Sequence, residues 1–485
     1  MRDFMDYLSR LSLRPPAMAC ALLALSLSAC NLAPVLPQPS AGMPTAVDGE
    51  GVQASPIFAS EQSLEQANAL NWVKSPRLAE VIALALSHNR DLRVAVANME
   101  KARAQYGITS AAQLPTVNAQ AQGSRSRSAA DLSSNGQAAI SEQYTAQLGF
   151  ASFELDLWGR LRNLSEAGLQ QFLQSQANQR NVQIGLIADT ATAWLNLAAN
   201  LDRLQLAQDT LTTREQSVDL TSQMFKLGAA TGLAVAQSLA LRDASQGEVF
   251  LYEAEVQRSR NALQLLTGGP VPEDLLPDQD ATAKGQALGP ISPVPPDISS
   301  GVLLQRPDIL AAEHNLRAMN ASIGAARANL FPTISLTASV GSGSRELDQL
   351  FAGGNRTWSF IPLIKLPIFD GGANRAGVEV AQANQQIALA QYEKTVQTAF
   401  RETADALLDQ KQWALRHATQ KSQVQASQKV LDLSQALFTA GSDNYLSVLD
   451  AQRSLYTAQQ TLISLRLSEQ LNRVTLWKVL GGELA

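Results

Sequence analysis

The chain has few of the residues that carry most protein chemistry. Its 485 residues include only two cysteines and three histidines. His88, His314 and His417 are far apart, and none has a neighbour at the spacing of a metal site or a catalytic triad. Cys20 lies within the N-terminal export signal described below, and Cys30 is the expected acylation site. We therefore expect no disulfide and no cysteine nucleophile in the chain that remains after the signal is removed. The sequence predicts neither an enzyme nor a cofactor or metal site.

Long apolar runs, phosphate-binding loops and a basic surplus are also lacking. The apolar run from Ala17 to Ala29 is too short to span a bilayer as a helix. The pair Gly371-Gly372 is not followed by the pattern of a nucleotide-binding loop. A net charge of −5 gives no indication of a nucleic-acid partner. Since 45% of the residues are hydrophobic, a folded protein with a buried core is expected.

The N-terminus has the features of an export signal. Arg2, Arg10 and Arg14 precede the short apolar run, as in secretory leaders. The following Leu27-Ser28-Ala29-Cys30 resembles the lipobox of bacterial lipoproteins, which implies a signal peptide over 1–29 and acylation of Cys30. The alternative is an ordinary leader with an incidental cysteine. Asn31, rather than aspartate, follows the cysteine, and within this resemblance it points to the outer membrane and its lipid.

Two halves of the chain repeat each other. The later part of each half aligns at an offset of 213 residues and the earlier part at 217, so a small insertion or deletion separates the two blocks. Matching pairs include Asp91 and Asp308, Pro115 and Pro332, Gly159 and Gly372, Gly228 and Gly441, and Gly268 and Gly481. We expect an N-terminal linker and equatorial segment at 30–74, repeat 1 at 75–269, a proline-rich linker at 270–300, and repeat 2 at 301–485.

Proline placement indicates where long helices can run. No proline occurs from Thr116 to Gly269 or from Ile368 to Ala485, and an interior proline would cost a helix about 3 kcal/mol. Apolar residues in these stretches recur at alternating spacings of three and four, which is typical of coiled coils. Besides one helix at the front of each repeat, we predict long helices at 160–226, 231–267, 373–437 and 443–480.

Alternating apolar and polar residues predict two strand pairs, at 115–128 with 142–157 and at 332–343 with 356–369. The alternation slips between Phe150 and Phe153, which indicates a bulge or the exit from a bilayer. Pro362 and Pro367 weaken the fourth strand. Four strands are too few for a membrane barrel, which needs about eight, so two or three copies would have to assemble. A soluble sandwich is the alternative.

Four segments resemble the TolC-like outer-membrane factors, in particular the lipidated branch that serves tripartite RND-type efflux pumps. These segments are Asp156-Leu157-Trp158-Gly159-Arg160, Leu303-Leu304-Gln305-Arg306-Pro307-Asp308, Phe369-Asp370-Gly371-Gly372, and Tyr445 to Gln452. The resemblance implies an internally duplicated α+β membrane protein. Four strands per chain would contribute to a trimeric 12-stranded barrel, and the long helices would form a coiled-coil periplasmic tunnel.

The same resemblance implies a function. A homotrimer would passively conduct drugs or other small molecules to the exterior after a periplasmic adaptor protein and an inner-membrane transporter engage it. The alternative from another class is a periplasmic coiled-coil adaptor or scaffold lipoprotein, which would share the leader and the helices but has no need of four alternating strands. A lipoprotein hydrolase would need a nucleophile and a base that the sequence does not offer.

The resemblance also assigns residues. It places the gate, an apolar ring and a carboxylate ring, on Leu446 and Asp450, which lie on one helix face because they are four residues apart. Asp443 and Tyr445 are possible supports of the gate. Gly228 and Gly441 mark helix-turn tips that would contact the adaptor, although a purely structural turn is the safer explanation of both glycines.

Arg306-Pro307-Asp308 resembles a binding motif, but helix initiation explains it better. Proline suits the first helical turn, and an aspartate near a helix N-terminus is electrostatically favoured.

Overall fold

The structure is a computed structural model that describes residues 31–36, 72–132, 136–278, 291 and 300–482. The expected signal peptide at 1–29 and the expected acylation site Cys30 lie outside the described residues. Most of the expected linkers at 30–74 and 270–300 lie outside them as well.

Seven α-helices occupy most of the described residues. They are α1 Pro76–His88, α2 Arg90–Ala111, α3 Arg160–Lys226, α4 Gly232–Thr267, α5 Pro307–Ala328, α6 Ala373–Thr439 and α7 Tyr445–Val479. None of the helices in this part of the chain carries an apolar stretch that would let it cross a membrane. Helix α3 covers the same range that the proline-free stretch indicates, while α6 continues two residues beyond the expected end at 437.

Four antiparallel strands form one sheet in the order β1-β2-β3-β4. They are β1 Asn118–Ser128, β2 Ala139–Leu155, β3 Thr333–Ser344 and β4 Arg356–Lys365. The expected fourth strand at 356–369 is too long, because it ends before Pro367, which has no N–H to donate. Pro362 lies inside β4, which has one neighbouring strand within the chain, and the register with β3 continues on both sides of this proline.

A β-bulge in β2 explains the slip in the alternating pattern. Phe150 pairs with Ala338 of β3 and Phe153 with Leu336, so β2 holds one extra residue between the two pairs. Ser152 has a positive φ of 54°, and its N–H donates to Thr337 Oγ1 at 3.0 Å. The bulge returns the next apolar residues to the original face, which confirms the first of the two interpretations of the slip.

The sheet therefore has two chemically distinct faces, which the strand registers assign. The apolar face carries Ala119, Ala121, Ala146, Leu148, Phe150, Phe153, Leu155, Ile334, Leu336, Ala338, Val340, Trp358, Phe360, Pro362 and Ile364. The polar face carries Gln120, Gln122, Thr145, Gln147, Thr337, Ser339, Thr357 and Ser359, with Ile361 and Leu363 as exceptions near the helix-connected end. This division is the one expected of a sheet between lipid and water.

The chain divides into two compact units that cut across the repeats. One contains the sheet and is built from Met99–Ser175 and Ala311–Tyr392 together with the N-terminal residues 31–36. The other combines parts of Ala41–Asn98, Gln176–Leu310 and Glu393–Ala485. Its main core includes Leu78, Leu197 and Leu263, and Trp72 stacks on Trp477 with ring centroids 4.8 Å apart.

Candidate functional site

The first turns of α7 place the two expected gate residues together on an exposed face. The helix starts where the Asn444 side chain accepts a hydrogen bond from the Ser447 N–H at 3.2 Å. Leu446 is 46% exposed and Asp450 is exposed. Tyr445 and Leu449, on the other side of the helix, are buried. Leu446 and Asp450 thus point away from the protomer's own packing and are available to a pore or to another copy.

Asp450 has a cationic neighbour on its own helix. Arg453 Nη2 lies 2.6 Å from Asp450 Oδ1, and both side chains are more than half exposed. An exposed pair at this spacing contributes about 0.3–0.5 kcal/mol, so it does not hold the helix together. The pair matters locally, because a pore lined by the Asp450 carboxylate would also have the Arg453 guanidinium beside it.

The two possible gate supports take different positions. Tyr445 is buried, and its ring packs on Phe438 of α6 with centroids 4.9 Å apart. Burial raises the pKa of Tyr445, more than the neighbouring Ser217 hydroxyl and the Arg214 charge lower it. Asp443 is partly exposed and accepts a hydrogen bond from the Asn444 N–H at 2.7 Å. Tyr445 therefore anchors the start of α7 inside the protomer, whereas Asp443 belongs to the turn.

The two helix-turn glycines adopt the left-handed conformation that closes a helix. Gly228 has φ 74° and Gly441 has φ 70°. Exposed apolar side chains lie beside the first turn, where Leu227 is 83% and Leu233 68% exposed. The turn geometry accounts for both glycines, and the apolar side chains leave a surface that a partner could cover.

A buried polar cluster lies between α3, α4 and α7, behind the exposed face of α7. We call this cluster, made of Arg214, Ser217, Thr221, Ser238 and Gln452, the polar ladder. Thr221 Oγ1 and Ser238 Oγ are 2.8 Å apart, and Gln452 Nε2 donates to Ser217 Oγ at 3.4 Å. Each of these five residues is less than 9% exposed. Hydrogen bonds thus replace apolar packing at this point of the coiled coil.

Arg214 is the charged member of the polar ladder. Among the described residues, its Nε and Nη1 atoms are buried without a hydrogen-bond partner. Burial lowers the pKa of Arg214, while the nearby Glu248 of α4 acts in the opposite direction. Glu248 in turn accepts a hydrogen bond from the Tyr456 hydroxyl of α7, and Gln460 Nε2 donates to that hydroxyl at 2.8 Å. A chain of polar side chains therefore continues along α7 from the expected gate residues.

Sequence reasoning did not find the polar ladder. The signal was present, because Ser217, Thr221 and Ser238 stand where a regular coiled coil has apolar residues. Val218 and Phe225 continue the spacing of three and four in α3, yet they are less buried than Ser217 and Thr221, and Phe225 is 52% exposed. Within the chain, the buried face at this end of α3 is therefore the polar one.

The expected helix-initiation motif also joins three helices. Pro307 is the first residue of α5, as expected. Arg306 is 8% exposed, and its guanidinium donates to Asp308 at 2.7 Å, to Glu402 of α6 at 3.0 Å and to the Val479 carbonyl at the end of α7 at 3.1 Å. A cation suits that position, since the C-terminus of a helix carries partial negative charge. We call this group the Arg306 clamp.

The residues that follow Cys30 are held against α5. Arg327 Nη1 donates to the Leu32 carbonyl at 3.1 Å, and Asn320 Nδ2 donates to the Pro34 carbonyl at 2.9 Å. Gly324 lies between them, and a Cβ there would come within 2.8 Å of the Ala33 nitrogen. The start of the expected mature chain is therefore attached to the unit that contains the sheet.

The histidines and acidic residues form no metal site in the part of the chain that the structure describes, since no cluster there has three or more potential ligands. His88 contacts Ser87 at 2.8 Å and His314 contacts Gln170 at 2.7 Å, each through Nδ1.

Comparison with known proteins matches both halves of the chain. The family model described as outer membrane efflux protein matches residues 81–269 and again 298–482. The toluene efflux pump outer membrane protein TtgC of Pseudomonas putida is 39% identical over 96% of this chain and 95% of its own length. Outer membrane protein OprJ of Pseudomonas aeruginosa is 39% identical over 97% of both chains. The crystal structure of the open state of the Neisseria gonorrhoeae MtrE outer membrane channel superposes with a TM-score of 0.78 at 36% identity, covering 94% of this chain and 99% of that one.

Proposed function

This chain belongs to the outer membrane efflux protein family, and on that basis we propose that three copies of it form the exit duct of a tripartite efflux pump. As a member of the family it is an outer-membrane channel protein with a helical periplasmic part, and not an enzyme. Membership also rules out the alternative of a periplasmic adaptor. The proposal concerns the assembly, the gate, the lipid anchor, the partners and the cargo.

The unpaired edges of the sheet support a homotrimer. β1 and β4 each pair with only one strand within the described chain, which leaves one row of backbone N–H and C=O groups free on either side. In lipid such groups must be paired, and closing the sheet on itself would need about eight strands. Joining β4 of one copy to β1 of the next pairs both edges, and three copies supply twelve strands. Repeat 1 and repeat 2 each contribute one hairpin.

The gate in this proposal consists of Leu446 and Asp450 from each copy, with Tyr445 and Asp443 as supports. The supporting observation is that α7 exposes Leu446 and Asp450 while it buries Tyr445 and Leu449. Three-fold symmetry then gives two stacked rings about one helical turn apart. The aligned position in repeat 1 is Gln237, so the carboxylate ring comes from repeat 2 alone.

Acylation of Cys30 would anchor the channel to the membrane. The attachment of residues 32–34 to α5 supports this part of the proposal, because it holds the residues that follow the expected acylation site on the unit that contains the sheet. A signal peptide at 1–29 is part of the same proposal.

The partners in this proposal are a periplasmic adaptor and an inner-membrane transporter. The adaptor would contact the tips at Gly228 and Gly441. Beside Gly228, the apolar side chains of Leu227 and Leu233 are exposed. The cargo would be drugs or other small apolar molecules, because TtgC is named as part of a toluene efflux pump. Copurification under mild detergent would identify both partners, and a channel isolated with neither would contradict this part of the proposal.

Ion conductance through planar bilayers tests the gate. Replacing Asp450 with alanine removes a carboxylate and leaves the Arg453 guanidinium without its partner, so cation preference should fall. For Asp450→Ala, we expect the reversal potential in a salt gradient to move towards the equilibrium potential of the anion. For Leu446→Ala, we expect a higher conductance, because the apolar ring becomes wider.

The matched control for the gate is Asp432→Ala. Asp432 is an exposed acid on α6 whose side chain accepts a hydrogen bond from Gln428 on the same helix. The Asp432→Ala substitution should leave both the conductance and the ion selectivity unchanged. Equal effects of Asp450→Ala and Asp432→Ala would remove the special role of Asp450.

A further inference from the structure

The apolar face of the sheet becomes cationic towards the end of β1. Ala119 and Ala121 are followed on the same face by Gly123, Arg125 and Arg127, because residues two apart on a strand share a face. The register with β2 is continuous from Asn118 to Ser128, so no bulge turns the two arginines to the other side. A lipid-facing surface therefore ends in two guanidinium groups.

The opposite edge strand changes in the same way. On β4, Phe360 and Trp358 lie on the apolar face, and Arg356 follows them on that face opposite Ser342 of β3. Trp358 is 76% exposed. Tryptophan and tyrosine with arginine beside them are typical of the boundary between the apolar layer and the headgroups of a membrane.

An aromatic side chain also lies at this boundary between β1 and β2. Tyr144 is paired with Gly123, and a Cβ on that glycine would be 3.0 Å from the tyrosine ring. The glycine thus leaves room for the ring to lie flat across β1. The next pair on the same face is Arg125 with Glu142, so the aromatic ring directly precedes the charged part of the face.

The arginines are only partly neutralised. Arg125 Nε lies 2.8 Å from Glu142 Oε1. Within the described residues, the side chains of Arg127 and Arg356 make no hydrogen bond or ion pair. The acidic residues Asp131, Glu346 and Asp348 lie in the loops beyond the strand ends. The strand face therefore keeps two guanidinium groups per chain for an anion from outside.

The end of the sheet that carries these arginines is the outer end. The hairpins β1–β2 and β3–β4 turn there, while α2, α3, α5 and α6 all connect to the strands at the other end. Because the helical part of the family lies in the periplasm, the hairpin end faces the outer leaflet. The arginines then stand on the lipid side at the depth of the outer headgroups.

We propose that Arg125, Arg127 and Arg356 form a binding site for the phosphate groups of an anionic glycolipid in the outer leaflet. The planar fork of a guanidinium matches a phosphate with two parallel hydrogen bonds. This inference rests on the proposed trimer, in which β4 of one copy lies beside β1 of the next. That arrangement brings Arg356 to the same seam as Arg125 and Arg127 of the neighbouring copy, so each phosphate site is completed by two chains.

Native mass spectrometry of the detergent-solubilised full-length protein tests the site. The probes are purified lipid A with two phosphates and the same lipid after removal of its phosphates. We expect the wild-type protein to bind the phosphorylated form more tightly by about 10- to 100-fold, and this preference should disappear in a variant with Arg125→Gln, Arg127→Gln and Arg356→Gln. Glu142→Gln should strengthen binding, because it frees Arg125.

The control carries Arg345→Gln and Lys365→Gln, which remove positive charge from the β3–β4 loop and from the opposite face of β4. It should keep the full preference. A triple variant that still prefers the phosphorylated lipid, or a wild-type protein that binds both lipids equally, would overturn the inference. Should the triple variant fail to assemble, Arg127→Gln alone provides the test and should lose part of the preference.

The trimer mass in the same spectra, and conductance of the same samples, separate this inference from the proposed function. A wild-type protein that is neither trimeric nor conducting would refute the proposed function. A variant that assembles and conducts while keeping its lipid preference would refute only the lipid site.

Discussion

Asp202 is a buried acidic residue of the long helix α3. It is 6% exposed, and both carboxylate oxygens are buried without a hydrogen-bond partner in the described part of the chain. Burial raises the pKa of Asp202 to about 7, although the charges of Arg466 and Arg203 act against it. The cause is desolvation, which disfavours the ionised form.

The raised pKa makes stability depend on pH in a defined direction. An unfolded aspartate has a pKa of about 3.9, so the folded protein binds this proton more tightly than the unfolded chain. The resulting stabilisation is complete below about pH 4 and is lost as pH rises towards 7. Asp202→Asn should therefore raise the thermal unfolding midpoint at pH 8 and leave it unchanged at pH 4.

Far-UV circular dichroism of wild type and variant across this range measures the effect of Asp202. The difference in unfolding free energy at pH 8 should be about 2–4 kcal/mol, since one pKa unit corresponds to about 1.4 kcal/mol. A wild type and a variant whose midpoints run in parallel from pH 4 to pH 8 would show that Asp202 has an ordinary pKa.

The Arg306 clamp acts at the scale of whole helices. Its guanidinium connects the start of α5 with Glu402 of α6 and with the Val479 carbonyl at the end of α7. Arg306→Ala would leave two carboxylates and a helix end without their cation. We expect a loss of about 2–3 kcal/mol, less than for a fully buried pair because Asp308 and Glu402 are partly exposed.

Arg317 of α5 provides the control for the clamp. Arg317 pairs with Glu313 one turn away, and both side chains are partly exposed. Arg317→Ala should cost less than about 1 kcal/mol. Chemical denaturation measures how much unfolding free energy each of the two variants loses. Equal losses in Arg306→Ala and Arg317→Ala would mean that the clamp is only a surface ion pair.

Local chemistry decides which elements the sequence predicts. Helix α3 has the expected bounds because no proline interrupts it and Gly159 and Gly228 flank it. The bulge in β2 was visible in the sequence, because the alternation of apolar and polar residues changes phase once, between Phe150 and Phe153. The polar ladder and the Arg306 clamp were not predicted, because they depend on which residues of distant helices meet, and no local pattern records that.

At the scale of the whole molecule, the exposed strand edges require assembly. We expect the purified protein to migrate on a denaturing gel as a trimer before heating and as a monomer after heating. The reason is that a closed barrel leaves no unpaired backbone group in lipid. A protein that is monomeric in every mild detergent would contradict the closure of the sheet by three copies.

The proposed lipid anchor is independent of the barrel. Cys30→Ser should abolish acylation, so intact-mass measurement should show the loss of the acyl chains. Because barrel closure depends on the strands, the trimer should persist in detergent. Acyl chains found on the Cys30→Ser protein would show that another residue is modified.

Each compact unit contains segments of both repeats, which bears on the origin of the chain. The hydrophobic core around Trp72 and Trp477 takes side chains from both copies, so neither copy has a complete interior of its own. An ancestral gene with one copy would have needed twice as many subunits in a ring of identical hairpins. In a single chain with two copies the copies are free to differ, and Asp450, which aligns with Gln237, is one such difference.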